Sequence, residues 1–222
     1  MQNLFLKNQK KKSRMTLCDI GNTHIHFAQG YKLFSSSKED LRHLKLQDEI
    51  FYISVNNENE KALLSAYPKA QNIAQYFFLE TDYVGLGIDR QMACLAVSHG
   101  VVVDAGSAIT IDVMQNGKHL GGCILPGLTQ YIHAYKASAS VLEQPFKALA
   151  TLETLPKDTK DAVSYGIISS VIACIQRVAQ NQKIYLCGGD AKFLSRFLAH
   201  SICNERLVFD GMEIALKKIG VL

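Results

Sequence analysis

Asp19-Ile20-Gly21-Asn22-Thr23 and Asp104-Ala105-Gly106-Ser107-Ala108 present the same chemistry twice, 85 residues apart. Each joins a carboxylate to a glycine turn and to hydroxyl or amide donors, the set that a phosphate-handling site needs. Glycine lets backbone N–H groups approach an anion closely, because no Cβ intervenes and positive φ is open to it. Asn22, Thr23 and Ser107 add side-chain donors for phosphate oxygens. The carboxylates of Asp19 and Asp104 would repel phosphate unless a cation lay between them, so they imply a metal ion, most simply the Mg²⁺ that accompanies a nucleotide. The same strings also fit two ordinary tight hairpins whose Asp residues cap their turns. Against that plainer reading stand the matched apolar runs on both sides of each copy.

A third string, Gly87-Ile88-Asp89-Arg90, sets a carboxylate beside a guanidinium at a loop-to-helix junction, where backbone N–H groups point outward. On the residues alone, Asp89 is read as a helix N-cap worth about 1 kcal/mol, with Arg90 in a surface ion pair. His24 and His26 share one strand face and fit either a nucleotide contact or the solvent side of a half-exposed hairpin. The six cysteines show no C-x-x-C pair and lie mostly in apolar segments, which reads as reduced thiols, neither a disulfide frame nor a zinc site.

Positioning these groups calls for an α/β fold. Residues 15–20 and 24–29 read as one hairpin, Lys32 to Ser35 as a third strand and Ile50 to Val55 as a fourth, with a helix over 57–66 and a strand from Tyr76 to Leu79. Asp89 opens a helix. Strands then follow at Val101 to Val103, Ile109 to Val113 and, after the Asn116-Gly117 turn, His119 to Leu125. Helices are expected at 128–137, 160–180, 190–199 and 211–218, with strands at 183–187 and 206–209. The repeat predicts two similar lobes, residues 15–100 and 101–222, packed without a linker around a shared cleft floored by the two hairpins.

Composition bounds the reading. The chain has 222 residues, 48% hydrophobic and 20% charged, enough for one large or two small cores. The net charge of +4 is modest and falls partly on Lys7, Lys10, Lys11, Lys12 and Arg14, so nothing compels a nucleic-acid partner. Residues 1–14 read as a disordered basic tail, and Met15 fits a natural start. The apolar run at Leu4 to Leu6 is too short for a signal peptide. With no 18-residue apolar run, no transmembrane helix is expected, and the protein is expected to be soluble.

The two Asp-x-Gly hairpins resemble the phosphate motifs of the superfamily of actin-like ATPases and sugar kinases. CDIGNTHIHFA, GLGIDRQMACLA, VVVDAGSAITID, GGCILPGL and LCGGDA, in this order, resemble the type III pantothenate kinases from about Met15 to the C-terminus. The resemblance implies two actin-like, ribonuclease-H-like lobes, each a mixed sheet with flanking helices, around a central nucleotide cleft. It implies a cytoplasmic homodimer that phosphorylates pantothenate with ATP and Mg²⁺ to 4′-phosphopantothenate, the first step of coenzyme A synthesis, with a monovalent cation, K⁺ or NH₄⁺. Membrane and nucleic-acid partners are not expected.

Carried over residue by residue, the resemblance makes Asp89 the catalytic group and Gly87, Ile88, Asp89, Arg90, Tyr83 and Thr159 the pantothenate contacts. ATP falls to Asp19, Ile20, Gly21, Asn22, Thr23, His24, Ile25, His26 and Ser107. Asp19 takes Mg²⁺ through water and Asp104 the monovalent cation. Thr159 fits a helix N-cap equally well, and Tyr83 plain packing. Two departures stand out: Ser107 replaces the family's usual threonine, and Asp82-Tyr83-Val84 replaces a Pro-Tyr-Glu run. Gly121, Gly122, Pro126 and Gly127 match a glycine motif for close backbone approach, and Gly188-Gly189 an adenosine motif. The alternatives are another phosphotransferase or phosphohydrolase of the superfamily, or a transcriptional accessory factor.

Overall fold

The repeat extends from the hairpins to the whole topology. The computed structural model describes residues 15–47 and 49–222, so the expected tail over 1–14 lies outside the described residues. Strands β1 (Met15–Ile20), β2 (Ile25–Gln29) and β3 (Lys32–Ser36) form an antiparallel meander. Strands β4 (Glu49–Ser54) and β5 (Gln71–Asn72) extend it in parallel, giving the order β3-β2-β1-β4-β5. Strands β6 (Gly100–Ala105), β7 (Ala108–Gln115), β8 (Lys118–Pro126), β9 (Ile184–Cys187) and β10 (Ser201–Cys203) repeat the plan as β8-β7-β6-β9-β10. In each sheet the strand that carries the site aspartate lies at the centre, where both neighbours fix its register.

The helices are α1 (Asn57–Ala66), α2 (Ile88–Leu95), α3 (Leu128–Ser138), α4 (Thr159–Ala179), α5 (Ala191–Leu194) and α6 (Leu207–Lys218). The side chain of Asn56 starts α1 by accepting from the N–H groups of Glu58 and Asn59, a cap worth about 1 kcal/mol. Val163, Ile167, Val171 and Ile175 recur every fourth residue along α4 and pack on Val101, Val103, Ile109 and Ile111 of the second sheet. Each such side chain, fully buried, contributes about 1.5–3 kcal/mol. The first core gathers Ile20, Ile25, Phe27, Leu41, Ile50 and Leu63.

By length and composition alone α4 is long and apolar enough to cross a bilayer, a test that a buried core helix also passes. Ser, Gly and Tyr interrupt its apolar run without adding charge. Its buried residues serve the core of the second sheet.

Two compact units emerge, and they differ from a division at residue 100. Among the described residues, the first holds those from 15 to 80, 84–96 and 206–222; the second holds 81–83 and 97–205. The chain end belongs to the first unit because α6 packs on α2, where Gly211 lies so close to the Met92 backbone that any side chain would collide with it. The first apolar run of α6, Leu207-Val208-Phe209, is helical and buried, which corrects the strand expected over 206–209. The strand expected from Tyr76 to Leu79 is also absent. Asn72 Oδ1 accepts from the Ala74 N–H at 2.9 Å, turning the chain into a 3₁₀ turn over Ala74–Tyr76. The expected helix over 190–199 splits into α5 and a 3₁₀ turn, Ser195–Phe197.

Candidate functional site

In the first unit β1 and β2 pair Asp19 with His26 and Ile20 with Ile25, and the turn closes through the Gly21 N–H donating to the His24 carbonyl at 3.1 Å. Asp19 is half-buried, while Asn22, Thr23, His24 and His26 are exposed. Ile20 and Ile25 are buried in the core, so only their backbone can face a ligand. Crowding by neighbouring atoms, then the nearby His24 ring, lowers the pKa of His26 below the ordinary histidine value. The start of α1 braces the tip. Asn59 Nδ2 donates to the Gly21 carbonyl at 2.9 Å, Asn56 Nδ2 to Asn22 Oδ1 at 3.3 Å, and the Val55 N–H to the Ile20 carbonyl at 3.0 Å. Asn59 is a functional support that sequence reasoning missed; a polar residue on the apolar face of α1 was its only signal.

Also in the first unit, Gly87 stands at the N-cap of α2 and Asp89 one residue inside the helix. Asp89 is therefore not the cap, but it still serves the helix start, since its Oδ1 accepts from the Arg90 N–H at 2.8 Å. A carboxylate there also meets the positive end of the helix dipole. A Cβ on Gly87 would lie 2.5 Å from Asp89 Oδ1, so glycine leaves the space the carboxylate occupies. Arg90 is only 7% exposed, so its guanidinium is not the surface group expected from the residues alone. Gln91 anchors the preceding loop by donating from Nε2 to the Leu86 carbonyl at 2.8 Å.

The second unit builds the other hairpin more tightly. Strands β6 and β7 pair Asp104 with Thr110 and Ala105 with Ile109, and Gly106 N–H donates to the Ala108 carbonyl at 3.0 Å, leaving Ser107 exposed at the tip. Two glycines buttress it from beneath. A Cβ on Gly127 would lie 2.6 Å from the Ser107 carbonyl oxygen, and one on Gly188, whose φ is +85°, 2.5 Å from the Ala105 carbonyl oxygen and against Asp104 Oδ1. Gly127 thus makes the close backbone approach expected of its motif. Gly188 makes room for the Asp104 hairpin itself, while Gly189 beside it faces open space. Asp190 follows, half-buried, with its pKa raised by burial.

Half-buried Asp19 and Asp104 are hard oxygen ligands, and each adjoins a turn with an exposed hydroxyl or amide donor. Each hairpin, taken by itself, offers donors that suit a cation and a phosphate group. Thr159 is exposed at the first position of α4, and the N-cap is Asp158, whose Oδ1 accepts from the Asp161 N–H at 2.9 Å. Tyr83 is half-buried in the second unit, its ring edge-on to His119 at 5.8 Å between centroids. Sequence reasoning passed over His119 and Asp112, both buried, whose Nε2 and Oδ1 lie 2.8 Å apart. An isolated histidine gave no spacing to follow.

A family model described as type III pantothenate kinase matches residues 15–181. A type III pantothenate kinase of Helicobacter pylori (strain HPAG1) is 76% identical over 208 residues, spanning 94% of this chain and 93% of its own. Among solved structures, a Campylobacter jejuni protein described as a "conserved putative Baf family transcriptional activator" superposes with a TM-score of 0.82 at 40% identity, over 93% of this chain and all of that one. A "putative 2-dehydro-3-deoxygalactonokinase protein" of Sinorhizobium meliloti, at TM-score 0.55 and 10% identity over 94% of this chain and all of its own, shares the fold alone.

Proposed function

The chain belongs to the type III pantothenate kinase family, and from that premise we propose how its residues divide the work of the reaction. It phosphorylates pantothenate to 4′-phosphopantothenate, opening coenzyme A synthesis, with ATP and a divalent metal as the phosphoryl source. The observation that carries the assignment of roles is the start of α2, where glycine at position 87 makes room for the carboxylate of Asp89 beside the buried guanidinium of Arg90.

Pantothenate carries a carboxylate and a primary hydroxyl. Arg90 pairs with the carboxylate; in a desolvated setting such a charge-assisted pair is short and strong. Asp89 accepts the hydrogen bond of the hydroxyl, orients it, and takes its proton late, because phosphoryl transfer is loose and the nucleophile need not be ionised first. Gly87 and Ile88 shape the floor beneath it, Tyr83 lines the entrance, and Thr159 contacts the substrate. ATP, when bound, supplies the γ-phosphoryl group, and its metal neutralises the charge that the transfer spreads over the phosphate oxygens.

Asp19 holds that metal, Mg²⁺, through water, and the stretch from Asp19 to His26 cradles the terminal phosphates with its backbone and exposed side chains. Asp104 holds a monovalent cation, K⁺ or NH₄⁺, and Ser107 donates to ATP. The enzyme works as a cytoplasmic homodimer. The transcriptional description attaches to the Campylobacter protein; here the kinase name of the 76% identical relative favours catalysis.

The test is turnover of pantothenate by the purified full chain with ATP and Mg²⁺, in potassium and in sodium buffer. The expected result is turnover in potassium that falls sharply in sodium. Absence of turnover in both, from folded chain that binds ATP, would overturn the reading.

A further inference from the structure

We propose that buried Asp112 and His119 and half-buried Thr81 form a hydrogen-bonded chain whose task is to position Tyr83 against pantothenate, making His119 a positioning residue for the acceptor substrate. The inference rests on the functional reading above, and every group in it belongs to the second unit.

The chain is continuous. Asp112 Oδ1 lies 2.8 Å from His119 Nε2, His119 Nδ1 lies 2.7 Å from Thr81 Oγ1, and Thr81 Oγ1 accepts from the Tyr83 N–H at 3.0 Å. The direction of each bond follows from its ends. A carboxylate only accepts, so the neutral ring carries its hydrogen on Nε2 and presents Nδ1 as an acceptor. The Thr81 hydroxyl then donates to Nδ1, and its lone pair receives the Tyr83 amide. Tyr83 is gripped a second time by the edge-on contact of its ring with the same imidazole.

Burial gives the chain its authority. Asp112 and His119 are each 1% exposed, and a polar group withdrawn from water holds its partners firmly because the alternative is to lose them altogether. By contrast, the neighbouring ion pair of Lys118 with Asp82, at 3.1 Å, has a largely exposed carboxylate and fixes little. Segment 81–83 is thus held by an imidazole rather than by a surface charge.

The sheet is shaped to deliver that imidazole. Strand β8 is an edge strand, and its register with β7 shifts between Val113 and Met114: Val113 faces Gly121 while Met114 faces His119, leaving Leu120 without a partner. Side chains alternate along a strand, so without the extra residue His119 would point away from Asp112. The bulge turns it onto the face that Asp112 shares with Met114. On the far side of β8 the segment docks through the Thr81 to His119 bridge. A bulge, a buried carboxylate and an imidazole converge on a three-residue segment whose last residue, half-buried Tyr83, is the one assigned above to the pantothenate contact.

Thr81→Val is the decisive substitution: it removes the hydroxyl at nearly constant size and leaves the Asp112 to His119 contact intact. Steady-state kinetics of the full-length enzyme should show the KM for pantothenate raised about tenfold with the KM for ATP within about twofold, the signature of lost acceptor binding. Thr81→Ser, which keeps the hydroxyl, should restore the wild-type value, and His119→Gln, which keeps only the Asp112 side, should reproduce the split. An unchanged pantothenate KM in Thr81→Val, or equal losses for pantothenate and ATP, overturns the proposal. Wild-type enzyme assayed alongside separates the two claims. Normal wild-type turnover with an indifferent Thr81→Val sinks this inference alone, whereas wild-type failure with pantothenate sinks the functional reading and this one with it.

Discussion

At position 87 a hydrogen atom stands where any other residue would put carbon, 2.5 Å from a carboxylate oxygen of Asp89. Gly87→Ala must therefore displace Asp89, and a displaced proton acceptor forfeits much of the 10²- to 10⁴-fold that such groups supply. Turnover should fall at least about tenfold, while the melting temperature moves little because the backbone there lies outside the left-handed region (φ −57°). Calorimetry beside an activity assay checks both halves. Asp190 offers a test with a sign. Burial raises its pKa above the ordinary 3.8, so the folded chain binds this proton more readily than the unfolded chain. Its contribution is favourable below the unfolded value and is lost as pH rises through the folded one, leaving a charged, partly desolvated group at neutral pH. Asp190→Asn should raise the melting temperature at pH 7, with the gain fading as pH falls toward about 4. An equal gain at both pH values would show that the charge is not its source.

The elements were legible where local chemistry and tertiary need agree. Apolar strand, carboxylate, glycine and returning strand mark both hairpins, and the structure sets Asp19 and Asp104 at matching positions in two sheets of one topology. The string at 206–209 failed because Leu-Val-Phe is strand-like alone, yet Phe209, Met212 and Leu216 bury one helical face in the first unit. The string at 76–79 failed because the Asn72 side chain turns the chain before its aromatic residues. At the site, motif spacing exposed the aspartates but not what braces them. Asn59, His119 and the space under Gly188 are properties of a folded backbone, invisible until strands are paired. Gly188→Ala tests that bracing: with φ at +85° and a backbone oxygen at 2.5 Å, it should cost more than about 2 kcal/mol and broaden the melting of the second unit. Chemical denaturation with a probe in that unit reads the loss, and an unchanged midpoint would show that the hairpin does not rest on this glycine.

At the scale of the molecule, the chain returns at its end to the unit where it began. Helix α6 seats Gly211 on the Met92 backbone of α2, the helix that carries Asp89 and Arg90, and Arg206 at its start donates to Glu213 Oε1 at 2.7 Å and to the Gly30 carbonyl. The last helix of the sequence thus supports a motif more than a hundred residues earlier. Gly211→Ala should force the two helices apart, lowering stability by about 2–3 kcal/mol and turnover with it, although no atom of Gly211 belongs to the proposed substrate contacts. A stable variant with full activity would show that α2 tolerates the shift.

If this chain transfers phosphate from ATP to pantothenate with Asp89 receiving the hydroxyl proton, the turnover of Asp89→Asn beside wild type, with ATP binding measured on both, will show it. The wild type should turn over pantothenate with potassium support, the variant should lose about 100-fold or more, and the two should bind ATP with nearly equal affinity. A variant that turns over pantothenate at a near-normal rate, or a wild type that binds ATP yet leaves pantothenate untouched, would contradict it.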